Sequence, residues 1–261
     1  MKTLRLLLFL LTLGLVSCTP KVQVVTLHSP NVILQDKAFV YETDSLRLQF
    51  NFQGENGVVR MDIYNKLEVP LYIDWKRSAF IKDTEKFDYW VDEASFQGEY
   101  SGTSANRYRW YSYQGGSFSG TLRKEDRIAF IPPKTKLVQA KFVVAPGKAW
   151  RFSKEPTAVE QIEVPIVATQ VKKQSLVRYE FSEANSPLKF RNYLTLSTDA
   201  QFRTEFHIDT PFYASKVENV DGRYLFGSAY SASDLNTPTA INHLPASYQE
   251  QNKFLLKIPV D

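Results

Sequence analysis

Along most of this chain apolar and polar residues alternate one for one. Leu46, Leu48, Phe50 and Phe52 alternate with Arg47, Gln49 and Asn51, and Val59, Met61 and Ile63 alternate with Arg60, Asp62 and Tyr64. Successive side chains of a strand point to opposite faces, so each run puts its apolar set on one face of a half-buried strand. Between the runs, Gln53-Gly54-Glu55-Asn56-Gly57 ends in the Asn-Gly pair that accepts the positive φ angles of a tight turn. The pattern predicts a hairpin. Further strands are predicted at Leu71–Trp75, Ile128–Ile131, Leu137–Val144, Ser175–Phe181, Phe190–Leu196, Phe202–Ile208 and Phe254–Val260. Pro132-Pro133 must end the strand before it, because proline donates no hydrogen bond.

Helical period is nearly absent. Ser247-x-x-Glu250 fits a capping box and predicts a short helix. Asp83–Lys86 and Ser231–Asn236 each predict one helical turn. Strands divided by turn signals, with this little helix, predict an all-β chain: an antiparallel β-sandwich of Ig-like architecture with long loops. The expected organisation is 1–17 as a signal, 18–45 as tether and first strand, and 46–261 as the sandwich with insertions. Pro156 and Pro165 mark the alternative, a second small β domain from about residue 170.

The first eighteen residues break the alternation. Leu6 to Val16 is an apolar run of 11 residues, preceded by Lys2 and Arg5. A bilayer span needs about 20, and the short run with its positive flank fits a secretory signal instead. Leu15-Val16-Ser17-Cys18 resembles the lipobox of bacterial lipoproteins. The resemblance implies cleavage before Cys18 and acylation of that residue. Cys18 is the only cysteine, so the acylated chain would have no disulfide, no thiol nucleophile and no thiolate metal ligand. Thr19 follows it where an inner-membrane retention signal would have Asp, which resembles the outer-membrane class and implies anchorage on the periplasmic face. With a first strand at Val22–Leu27, three residues would separate lipid from fold, a reach of roughly 15 Å.

Removing 17 of the 261 residues leaves 244, with 30 basic and 28 acidic side chains. That balance projects no strong field, so nucleic acid is not an expected partner. A chain of this size buries enough surface to hold a core without disulfides.

Residues 94–121 differ in composition from the rest. Five of the eleven glycines fall here, with Trp110 and four tyrosines among serines and threonines. Tyr, Ser, Gly and Asn are the residues of adaptable binding loops. Arg107, Tyr108, Arg109, Trp110, Tyr111 and Tyr113 are therefore the candidate contact residues. The alternative is a long hairpin whose rings pack on the sandwich.

Candidate chemistry elsewhere is sparse. There is no Gly-x-Ser-x-Gly elbow and no His-Glu-x-x-His. His28, His207 and His243 lack metal-ligand spacing. Glu205, His207 and Asp209 alternate onto one face, which three polar groups usually present to water. Ser186-x-x-Lys189 matches an acyltransferase motif, but strand-like residues follow it where that chemistry needs a helix. Asp92-Glu93 would serve glycoside hydrolysis only if folding set two acids about 5–10 Å apart. No cofactor or metal is expected. Trp75, which ends an apolar strand, is expected in the core.

Two stretches resemble a recurring pattern in uncharacterised Bacteroidetes lipoproteins. They are Ile63–Trp75 with Ser78, and Ser186–Ser197 followed by Phe212-Tyr213. The resemblance implies lineage and no activity. Physically, Asn65 and Pro70 fit a turn between strands, and Asp74 and Ser78 fit caps on backbone groups at a strand end. The expectation is a non-enzymatic, lipid-anchored envelope protein that acts by binding an envelope protein complex or a glycan. The alternative is a carbohydrate-active or peptidoglycan-directed enzyme.

Overall fold

The computed structural model describes residues 21–92, 94–108, 111–147, 149–167, 170–228 and 244–259, with the side chains of 94–124 and 167 outside the description. Two antiparallel sheets pack over a shared core, the all-β sandwich that the alternation predicts.

The larger sheet runs β11 (Ile128–Ile131), β6 (Leu71–Asp74), β15 (Lys189–Ser197), β16 (Glu205–Asp221), β1 (Lys21–His28) and β17 (Lys253–Lys257). Two hairpins extend it. The β7 (Ala79–Lys82) and β8 (Glu85–Asp88) pair joins through β15, and the β13 (Ala158–Val167) and β14 (Gln170–Glu180) pair joins through β16. The smaller sheet is β12 (Lys136–Val143), β5 (Val58–Asn65), β4 (Leu46–Asn51), β3 (Ala38–Glu42) and β2 (Ile33–Gln35). A two-stranded ribbon of β9 (Ala94–Tyr108) and β10 (Tyr111–Lys124) forms a third unit. Helix among the described residues is one short segment, α1 (Gly222–Phe226), and a 3-10 turn at Ala246–Tyr248.

Alternation translates directly into burial. Leu46, Leu48 and Phe50 are buried on β4 while Arg47, Gln49 and Asn51 are half-exposed. The expected β4–β5 hairpin forms, with Asn56 and Gly57 both at positive φ. Gly57 has a second reason to be glycine: a Cβ there would come within 2.9 Å of Phe254. β1 lies between β16 and β17 and is buried on both faces. Val25 and Leu27 enter the inter-sheet core, and Val22 and Val24 join a second cluster with Leu176, Val220 and Leu255. Gln23, fully buried, is satisfied: its amide donates to the Trp150 carbonyl and to Asn219 Oδ1, and its Oε1 accepts from the Trp150 N–H.

Three local expectations change. Asp83–Lys86 is not a helical turn: Asp83 takes φ 53 in the tight connection of β7 to β8. Phe202 precedes its strand, at φ 55 in the turn before β16. Ser247 caps no helix, and Glu250 instead pairs with the buried Lys253 beside a single 3-10 turn. Ser231–Asn236 lies outside the described residues.

Candidate functional site at the root of the ribbon

β9 and β10 pair with one another in 14 register steps. At about 3.3 Å per residue that is a ribbon roughly 45 Å long. Among the described residues neither outer edge of it is paired. The ribbon is inserted between β8 and β11, and the side chains at its two legs explain how it is held.

The incoming leg is Tyr89 to Asp92. Tyr89 is buried; its hydroxyl donates to Asn192 Oδ1 at 2.6 Å, and its ring packs on Trp75 and Phe142. Burial pushes the Tyr89 phenol well above its usual value, so it stays a neutral donor. Trp90 Nε1 donates to the carbonyl of Glu125 at 2.9 Å, tying incoming leg to outgoing leg. Lys141 of the next segment donates to the Tyr89 carbonyl and lies 3.6 Å from the Glu125 carboxylate.

The outgoing leg is held by Asp74. This carboxylate is 1% exposed at the end of β6. Arg127 reaches it with Nη2 at 2.6 Å and Nε at 3.2 Å, and Arg77 Nε with 2.9 Å. Asp74 Oδ1 also accepts the backbone N–H groups of Lys76 and Arg77. Burial alone would raise this carboxyl, but the hydrogen bonds from Arg127 and Arg77 outweigh it and hold the group below the ordinary carboxylate range. Ser78 completes the corner. Its Oγ donates to the Asp74 carbonyl at 2.7 Å and accepts from the Thr195 N–H. The capping expected of Asp74 and Ser78 is therefore present. Asn65 likewise closes the β5–β6 turn, donating to the carbonyls of Val69, Ile131 and Pro132.

The network continues across the sheet. Arg77 pairs with Glu205 and sits 5.0 Å from the Phe202 ring centroid. Glu205 lies 3.7 Å from His207, which stacks on Tyr193. Arg191 pairs with Asp209. Glu205, His207 and Asp209 thus share a half-open face, each beside a partner on it.

A cleft of about 400 Å³ opens between the β7–β8 hairpin and the end of β12. Its walls are Phe80, Phe87 and Phe142, with Phe80 and Phe142 stacked at 4.9 Å. Lys82, Asp83 and Glu85 stand at its rim. The size falls within the range of small-ligand sites. The rings come from three different strands, so no local pattern announces the cleft.

Of the candidate contact residues, Arg107 and Tyr108 lie on β9 and Tyr111 and Tyr113 on β10. Tyr108 pairs with Tyr111 and Tyr113 with Ala105, and the register shift leaves Arg107 as the extra residue of a bulge. Arg109 and Trp110 lie outside the described residues, as do Cys18 and Glu93. Ser186 Oγ lies 2.8 Å from the Leu188 carbonyl and 2.9 Å from that of Ala214, with one hydrogen to share between them, and Lys189 Nζ donates to the Ala184 carbonyl, so both members of that motif are engaged with backbone. Trp75 is in the core. Among the described residues no three His, Cys, Asp or Glu side chains converge to hold a metal, and no helix is long and apolar enough to cross a membrane.

Comparison with family models, curated proteins and solved structures found no match to this chain.

Proposed function

We propose that this chain is a cell-envelope lipoprotein, held by lipid on Cys18 at the periplasmic face of the outer membrane, that works as a non-enzymatic binding or assembly module. The ribbon is its contact element. One observation carries the reading: a roughly 45 Å ribbon with both outer edges unpaired among the described residues, rooted by a buried carboxylate–arginine clamp. Unpaired edges are templates for another chain. A rigid root makes such an element useful, because less ordering remains to be done on binding. β1 begins at Lys21, three positions past Cys18, so an anchored chain keeps the sandwich close to the bilayer.

A second reading, a glycan-binding protein, draws on the three-ring cleft beside the ribbon root. An apolar lining with polar groups at the rim suits a small ligand such as a sugar.

The test is partner capture. Full-length protein is crosslinked in native membranes and purified, beside a variant in which 95–123 is replaced by Asn-Gly. The proposal expects a stoichiometric envelope partner with the intact chain and its loss from the variant, whose melting temperature stays within a few degrees. Equal recovery by both, or none by the intact chain, overturns it.

A further inference from the structure

The cleft of about 400 Å³ lies between two strands with open edges. β8 pairs with β7 and has no neighbour on its other side among the described residues; all four of its residues are exposed. β12 ends the smaller sheet, with β5 on one side only. Its register shifts between Ala140 and Val143, which sets Lys141 and Phe142 together opposite Val59. Such a bulge re-aims side chains, and Phe142 is a wall of the cleft.

Two of the walls are fixed from behind. Phe142 packs on the buried Tyr89 at 4.8 Å, and Phe80 on the buried Phe190 at 5.7 Å. Walls held in place leave less ordering to be done on binding. The rings also pack on one another, with Phe80 4.9 Å from Phe142 and Phe87 6.1 and 6.5 Å from the two. The cleft therefore offers apolar walls for a bulky side chain rather than a flat platform for a sugar ring. Its rim carries Lys82, Asp83 and Glu85, one cation against two carboxylates. Among the described residues neither carboxylate has a cationic partner within 4 Å, whereas the adjacent Lys86 is paired with Asp88.

An open strand edge, an apolar pocket beside it and a surplus of acid at the rim fit one class of occupant. An extended peptide bonds to a free edge through its main chain and sends alternate side chains into neighbouring pockets. We infer that the cleft takes a bulky apolar side chain from an extended segment of another protein, which lies along the outer edge of β8 and carries a basic residue near that side chain. The inference stands apart from the ribbon, and it gives the cleft a peptide where the second reading gives it a sugar. Four residues of edge, about 13 Å, and one pocket make a small contact, so binding is weak and reversible.

The test is selection of peptides on the full-length chain in detergent. The library holds seven-residue peptides with Phe, Leu or Tyr at the centre and random residues elsewhere, and binding of those selected is measured by fluorescence polarisation. Peptides with Kd below about 1 mM are expected, enriched in Lys or Arg near the centre and poor in proline. Replacing the central residue by Ser should weaken binding at least ~10-fold. Methylating every second backbone nitrogen should do the same in the phase that faces the edge and less in the other. Phe87→Ser should also weaken binding at least ~10-fold; this ring is 40% exposed, so the melting temperature should stay within a few degrees. Asp83→Asn with Glu85→Gln should remove the preference for Lys and Arg, and asparagine tolerates the positive φ of Asp83. A chain that binds none of the peptides below about 1 mM, or binds them equally after Phe87→Ser or in both methylation phases, overturns the inference. So does a chain that binds a trimer of N-acetylglucosamine and no peptide, which would give the cleft to the sugar. None of these variants touches 95–123, so capture of an envelope partner by the ribbon succeeds or fails independently.

Discussion

Replacing Phe212 by alanine is expected to destabilise the fold by about 3–5 kcal/mol. Phe212, on β16, is fully buried where the two sheets meet. Its ring lies 5.5 Å from Phe39, 5.0 Å from Phe50 and 5.3 Å from Phe52, all from the smaller sheet or the segment that leaves it. It also stacks on Phe190 of the larger sheet at 5.1 Å. Deleting it removes apolar burial, leaves a void and breaks four ring contacts at once, and such contacts add to area burial. For a domain of this size about 2–4 °C of melting temperature follows each kcal/mol, so the midpoint should fall by roughly 6–20 °C. Urea unfolding should show a lower midpoint with an unchanged slope. Phe130→Ala is the comparison. That ring is 55% exposed on β11 and touches chiefly Tyr72, so its loss should stay within about 0.5 kcal/mol.

Asp74→Ala is expected to cost about 2–4 kcal/mol. The substitution takes the side-chain acceptor from the Lys76 N–H, leaves the Arg77 N–H only the Asp74 main-chain carbonyl, and leaves two guanidinium groups without their shared carboxylate. Arg77 and Arg127 are 40% and 47% exposed, so solvent takes up part of their loss and the estimate stays below that for a fully buried pair. Asp74→Asn keeps an acceptor for the backbone and should lose about half as much. The pH dependence has a definite sign. The folded-state pKa of Asp74 is depressed, so its contribution is fully present above the unfolded value of about 3.9 and is lost as pH falls through the lower folded value. The gap between native protein and Asp74→Asn in urea melts should therefore be wide near pH 7 and narrow towards about pH 2. A gap that is constant or grows on acidification would contradict the clamp.

Much of the sandwich was legible because its strands are buried on one face. Leu46–Phe50 and Val59–Ile63 show the two-residue period plainly, and Asn56-Gly57 carries its own conformational demand. The ribbon was visible as composition, and the long hairpin, one of the two readings of 94–121, is the one its backbone pairing matches; its extent was not legible. Its period is also two, but glycine occupies every second position of one face, so the face does not register as apolar. Serine, glycine and asparagine suggest a loop until pairing is known. The helix expected at Ser247 is cut to one turn because the Gln251 and Asn252 backbone groups bond to Lys37, Phe52 and Leu27 on the way into β17, partners no local pattern reports. Asp74 was legible as a cap on its near neighbours. Its main partner, Arg127, comes 53 residues later across the inserted ribbon, and no local pattern reports that. The cleft is illegible for the same reason, since Phe80 and Phe142 meet only in the fold.

We propose the ribbon as the surface that meets a neighbour in the envelope. The most direct measurement places a photo-crosslinking amino acid singly at Ser101 or Ser117 on the ribbon, and at Glu68, an exposed turn residue, in cells carrying the full chain. Irradiation is expected to give discrete adducts from both ribbon positions and none from Glu68. Adducts from Glu68 with none from either ribbon position would contradict it.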